Sequence, residues 1–131
     1  MNIENCLKWS SEILTYPQTF GVLAMYDGFC CLGVAEELRG CKWQEVPHEA
    51  YWKNEEGSDL ALSNLTMRWL GITSKQGDLT KEFQEWLGIW KWYDERTLSK
   101  INDDHTPFAE ISRIIYNACV FEVLFGKKAI V

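Results

Sequence analysis

The sequence predicts an α+β fold, mainly helical, with one small β-sheet or hairpin packed on a buried central helix. Residues 1–131 form a single compact domain in this reading. Three observations carry the prediction. Cys30 to Ala35 is apolar on every side of a helix, and a helix that is apolar all round belongs in a core. Four further stretches space their apolar residues as helices do and carry capping residues or a closing glycine. Only Thr19 to Tyr26 alternates with the period of a strand.

Residues 3–15 place Ile3, Cys6, Leu7, Ile13 and Leu14 on one side of a first helix, with Trp9 on its flank and Asn2 as cap. Pro17 biases Tyr16 out of the helical region and ends the element. The strand from Thr19 to Tyr26 follows. Asp27 is the expected N-cap of the central helix, which runs from Phe29 to Leu38 and stops at Gly40. Only Glu36, Glu37 and Arg39 are expected to reach water. Gly33 in the middle of that helix costs about 1 kcal/mol against alanine, which signals a close neighbour.

Cys41 to Val46 is the expected partner of the first strand, and 47–58 reads as loop over Tyr51 and Trp52. Ser63 caps a helix ending at Gly71, with Leu62 and Met67 spaced as a hydrophobic staple. Thr80 caps another ending at Gly88. Asn102 to His105 reads as a loop, with Thr106 and Pro107 as cap and first residue of the last helix. Phe108, Ile111, Ile115 and Ala118 form its inner stripe. The helix either runs to Phe125 and Gly126 or breaks near Cys119 into a strand, and residues 127–131 are a loose tail.

A chain of 131 residues can bury about two thirds of its unfolded surface and needs no staple. Its net charge of −6, without a basic cluster, argues against nucleic acid as the main partner. No stretch approaches bilayer-spanning length. The first residues lack a basic segment followed by an apolar run, so a cytoplasmic location is expected. The five cysteines are odd in number and lack a C-x-x-C pair, which fits free thiols in a reducing compartment.

Five segments carry a resemblance. Tyr16-Pro17-Gln18-Thr19-Phe20-Gly21-Val22-Leu23 precedes Phe29-Cys30-Cys31-Leu32-Gly33-Val34. Trp69-Leu70-Gly71 follows, then Leu98-Ser99-Lys100-Ile101-Asn102-Asp103 and Pro107-Phe108-Ala109-Glu110-Ile111-Ser112. In this order they resemble small uncharacterised bacteriophage and prophage proteins that read Y-x-Q-x-x-G-x-L, F-C-C-L-G-V, W-L-G, L-N-D and S-F-x-E-I-A. The resemblance implies a viral origin and a compact fold but no chemistry. Residues 74–95 have no counterpart in that pattern. Where those proteins often carry a further cysteine, this chain has Glu36 and Glu37.

Cys30 and Cys31 stand at a helix start, where the dipole favours a thiolate, so a cysteine-dependent hydrolase or transferase is one reading. Its base would have to be His48 or His105, both in expected loops; two small apolar core residues are the plainer account. A metal site would need Cys30 or Cys31 with Cys41 and His48, a spacing that matches no zinc pattern, and neither metal nor cofactor is expected. Tyr16 and Gln18, with Asn102 and Asp103 opposite, mark an expected binding pocket; the same acidic run also fits a turn. Trp90, Trp92 and Tyr93, beside Lys91 and Arg96, have the composition of an interface hot spot. The favoured function is therefore a phage accessory protein that inhibits or sequesters a host factor by stoichiometric binding. Its partner is a host protein or a nucleotide-like small molecule, with self-association left open.

Overall fold

The computed structural model describes residues 1–88 and 97–131. Asn2 caps helix α1 (Ile3–Glu12) by accepting from the Asn5 N–H, and a 3-10 turn (Ile13–Thr15) ends it before Pro17. Two short strands, β1 (Ala24–Met25) and β2 (Gly28–Phe29), precede α2 (Cys31–Arg39). Strands β3 (Gln44–Glu45) and β4 (Tyr51–Lys53) follow, then α3 (Asn64–Leu70), α4 (Lys81–Leu87), α5 (Leu98–Asp103) and α6 (Phe108–Phe125). This is the mainly helical α+β domain with a small sheet that the pattern predicts.

The sheet is antiparallel in the order β2-β1-β4-β3. It departs from the expected pairing in three ways. The strand is short, Ala24–Met25 instead of Thr19–Tyr26, because Gly21 takes a positive φ of 82° and turns the chain. Its second partner is β4, from the segment read as loop, with Ala24 opposite Trp52. The stretch around Cys41–Val46 supplies β3, which pairs with β4 and never meets β1. Tyr51 and Trp52 are thus ladder residues.

The central helix sits in the core as expected, with Cys31, Leu32, Val34 and Ala35 fully buried. Its N-cap is Cys30, whose sulfur accepts from the Gly33 N–H at 3.4 Å. Asp27 lies instead in the turn joining β1 and β2. Gly40, with φ 96°, closes the helix. Gly33 packs against backbone: a Cβ there would stand 1.8 Å from the Leu23 carbonyl oxygen.

Helix α6 runs unbroken to Gly126 and packs antiparallel along α1. Ser112 Oγ donates to the Ser10 carbonyl at one end, and the Met1 nitrogen lies 3.4 Å from Glu122 at the other. Its N-cap is Pro107, which offers no capping side chain, so Thr106 lies one position too early for the expected role. The tail is not loose. Ala129 and Ile130 are buried, and Ile130 bridges to Leu79. The Val131 carbonyl accepts from the Thr73 and Ser74 N–H groups at 3.1 and 3.0 Å. An apolar Ala-Ile pair and free backbone groups next to an open segment give the tail both reasons to dock.

Candidate functional site

The residues chosen for a pocket converge, but on one another. Asn102 is fully buried, because α5 extends through Asp103 where a loop was expected. Its Oδ1 accepts from Gln18 Nε2 and from the Cys31 N–H, both at 3.1 Å, and its Nδ2 donates to the Thr19 carbonyl at 2.9 Å. Gln18 Nε2 also donates to the Thr106 carbonyl at 2.8 Å. Asp103 Oδ1 accepts from the Gly21 N–H at 2.8 Å. Tyr16 packs edge-on against Phe29, and burial, then Glu37, pushes its phenol upward. The space between these elements is a cavity of about 20 Å³ lined by Gly21, Val22, Cys30, Leu60, Ser99 and Asp103. That is room for about one water and too little for a ligand.

The cysteines at the start of α2 are equally enclosed. Burial pushes Cys30 up to about 12 and Cys31 well above the ordinary thiol range. Cys31 Sγ donates to the Leu98 carbonyl at 3.4 Å. Among the described residues, neither sulfur has a histidine partner. His105 lies against the Phe20 ring, and His48 and His105 both hold positive φ in turns.

A third polar cluster escaped the sequence reading. Glu36, expected at the surface, is fully buried. Its Oε1 accepts from Arg39 Nη2 and Ser63 Oγ, each at 2.9 Å, and from Thr66 Oγ1. Its Oε2 accepts from the Ser63 N–H at 2.7 Å and Asn54 Nδ2 at 2.9 Å. Arg39 reaches on to Glu55 through two bonds, 2.6 and 3.1 Å. That guanidinium holds the Glu55 carboxyl down at about 2, and burial beside Glu55 pushes the Cys41 thiol up to about 12. Ligand atoms of Glu36, Cys41 and Glu55 lie within 4.8 Å of one another. The Arg39 charge already occupies the gap between the two carboxylates, so the group reads as a buried ion pair joining α2, the 54–63 loop and α3. The signal was present: Glu36 is one turn after Leu32, on the inner side of its helix.

The open surface lies elsewhere. Ile3 and Leu7 of α1 and Tyr116, Cys119, Val120, Val123 and Leu124 of α6 line a trough of about 260 Å³. Tyr116, Val123 and Leu124 are 52, 69 and 63% exposed, so most of their apolar area faces water. Residues 116, 120, 123 and 124 repeat the 4-3-1 spacing of a helix face, directed away from the inner stripe of Phe108, Ile111, Ile115 and Ala118. The second half of α6 is therefore apolar on two sides. The trough continues into a cleft of about 300 Å³ walled by Met1, Ile3, Glu122, Val123, Gly126, Lys127 and Lys128. Neither lysine is paired with a carboxylate among the described residues. Around the end of α6, the exposed ring of Phe125 meets Trp86 at 5.9 Å. The expected hot spot of Trp90, Trp92 and Tyr93 lies outside the described residues.

A family model described as a domain of unknown function (DUF8296) matches residues 1–119. No curated protein matches the chain, and no solved structure does. No helix among the described residues is long and apolar enough to cross a membrane.

Proposed function

We propose that this chain, which belongs to the DUF8296 family, acts by stoichiometric binding and not by turnover, with the α1–α6 trough as its docking face. The observation that carries the reading is the outward apolar face of α6, Tyr116, Val120, Val123 and Leu124, flanked by Ile3 and Leu7. A helix apolar on two sides is stabilised by cover on both, and α1 with the core provides only one.

The occupant is an amphipathic helix of a partner protein with acidic residues at one end. The trough is open along its length, as a helix-binding groove is; a small-molecule site would bury most of its ligand. From Tyr116 to Lys127 it matches about three helical turns. Lys127 and Lys128 stand at one end, where they complement acidic side chains, while the rest of the trough is apolar. In the phage reading the helix belongs to a host factor, and binding inhibits or sequesters it. Trp90, Trp92 and Tyr93 are proposed to extend the contact. A cysteine-dependent enzyme is supported by none of the geometry around Cys30 and Cys31, whose thiols are buried and pushed away from the reactive form.

The test is capture from a bacterial host extract by the chain and two variants, Val123→Glu and the double charge reversal Lys127→Glu with Lys128→Glu. The proposal expects a protein retained by the unaltered chain, lost with either variant, and cross-linked through an acidic-ended amphipathic helix. Capture that is indifferent to Val123→Glu, or cross-links that map away from α6, would overturn it.

A further inference from the structure

Three half-buried aromatic rings form a row across the 3-10 turn after α1, strand β2 and the approach to β3. Tyr16 packs edge-on against Phe29, with ring centroids 5.4 Å apart and planes at 87°. Phe29 in turn meets Trp43 at 6.1 Å and 51°. Each ring packs against the core on one side and leaves part of its surface to water. Glu37 of α2 stands beside the row, where its Oε2 accepts from Trp43 Nε1 at 2.6 Å. Its other oxygen holds no hydrogen bond among the described residues. Neither Glu37 nor Glu12, four residues before Tyr16, forms an ion pair among them. Both carboxylates act on the Tyr16 phenol, so the row carries uncompensated negative charge.

We propose that the Tyr16–Phe29–Trp43 row with Glu37 is a binding site for a guanidinium group, the arginine side chain of another protein. Aromatic faces attract cations through the ring quadrupole. A half-buried carboxylate beside them adds a full charge that salt screens less than one at the open surface. At centroid distances of 5.4 and 6.1 Å the rings touch one another, so a cation lies over them and not between them. A guanidinium fits that geometry: it is planar and weakly hydrated, and it stacks on a ring while its N–H groups reach a carboxylate. A lysine ammonium is compact and strongly hydrated, so it gains the ion pair without the stacking. The row is open and encloses no small molecule, which favours an arginine presented by a protein surface. The indole bond already holds the Glu37 carboxylate in place, so binding orders little that is not ordered beforehand. The row shares no residue with the α1–α6 trough and does not depend on what docks there.

The experiment titrates the full, isotope-labelled chain with three end-blocked tripeptides, Ala-Arg-Ala and its lysine and citrulline counterparts, up to about 50 mM, and follows assigned NMR resonances. Citrulline keeps the shape of arginine without its charge. The expected result is a saturating shift of the Trp43 indole N–H with the arginine peptide, about tenfold weaker binding of the lysine peptide, and no shift with citrulline. Glu37→Gln keeps an acceptor for the indole and removes the charge. It should weaken the arginine peptide about tenfold while the rest of the spectrum stays in place. No saturating shift at Trp43, arginine matched by lysine or citrulline, or shifts centred on other residues would overturn the proposal. The three peptides on the unaltered chain decide the question even if the variant folds poorly.

Discussion

The Glu36 carboxylate accepts from the Ser63 backbone N–H at 2.7 Å while its other oxygen holds the Ser63 hydroxyl at 2.9 Å. Ser63 is the N-cap of α3, so a buried acid on α2 fixes where α3 starts. Together with Arg39 and Asn54 it gives every lone pair of that carboxylate a donor. Glu36→Gln keeps the volume but turns an NH₂ toward groups that donate, and leaves Arg39 short of charge. It should cost about 3 kcal/mol, read as a lower urea midpoint at an unchanged slope.

The outer arm of the same network sets a pH dependence. The Arg39 guanidinium depresses the Glu55 carboxyl from 4.5 to about 2. A carboxyl depressed in the folded state contributes stability that is present above its unfolded value. That contribution is lost as pH falls through the folded value. Stability should therefore decline between about pH 4.5 and pH 2, and Glu55→Gln should flatten that part of the profile. Urea titrations at pH 7, 4 and 3 on both chains check this.

Gly33 offers a sharper test of the core. An added Cβ meets the Leu23 carbonyl oxygen at 1.8 Å, and backbone cannot yield as a side chain does. Gly33→Ala should destabilise by about 3 kcal/mol or more, although alanine is the better helix former. Thermal unfolding followed by circular dichroism measures it.

Asn102 supports the account of the expected pocket as an internal tie. It joins Gln18, Thr19 and Cys31 by three hydrogen bonds without exposure. Asn102→Ala should cost about 2–3 kcal/mol by stranding buried partners. It should leave affinity for a partner at the α6 trough unchanged in the protein that remains folded. Denaturation and a binding titration of the same variant separate the two effects.

Local signals carried the helices. Asn2, Ser63 and Thr80 cap where their side chains predict, and Gly40, Gly71, Gly88 and Gly126 end helices in the left-handed region. Gly33 announced a close neighbour and has one. The sheet was less legible because strands of two or three residues carry no usable alternation, so β4 hid inside a loop. The Asp27 cap was displaced because the β1–β2 turn claimed that residue and moved the helix start to Cys30. Glu36 was misjudged by residue type, although its spacing from Leu32 placed it inward. At the trough, the inner stripe of α6 drew attention from Tyr116, Val120, Val123 and Leu124, which show the same period on the opposite side.

The most direct test is a titration of the purified, captured partner with the full chain. The account predicts saturation at molar equivalence. It also predicts a loss of about 2 kcal/mol, roughly 30-fold in affinity, for a folded Val123→Glu variant. Equal binding by that variant, or conversion of the partner far beyond one equivalent, would contradict it.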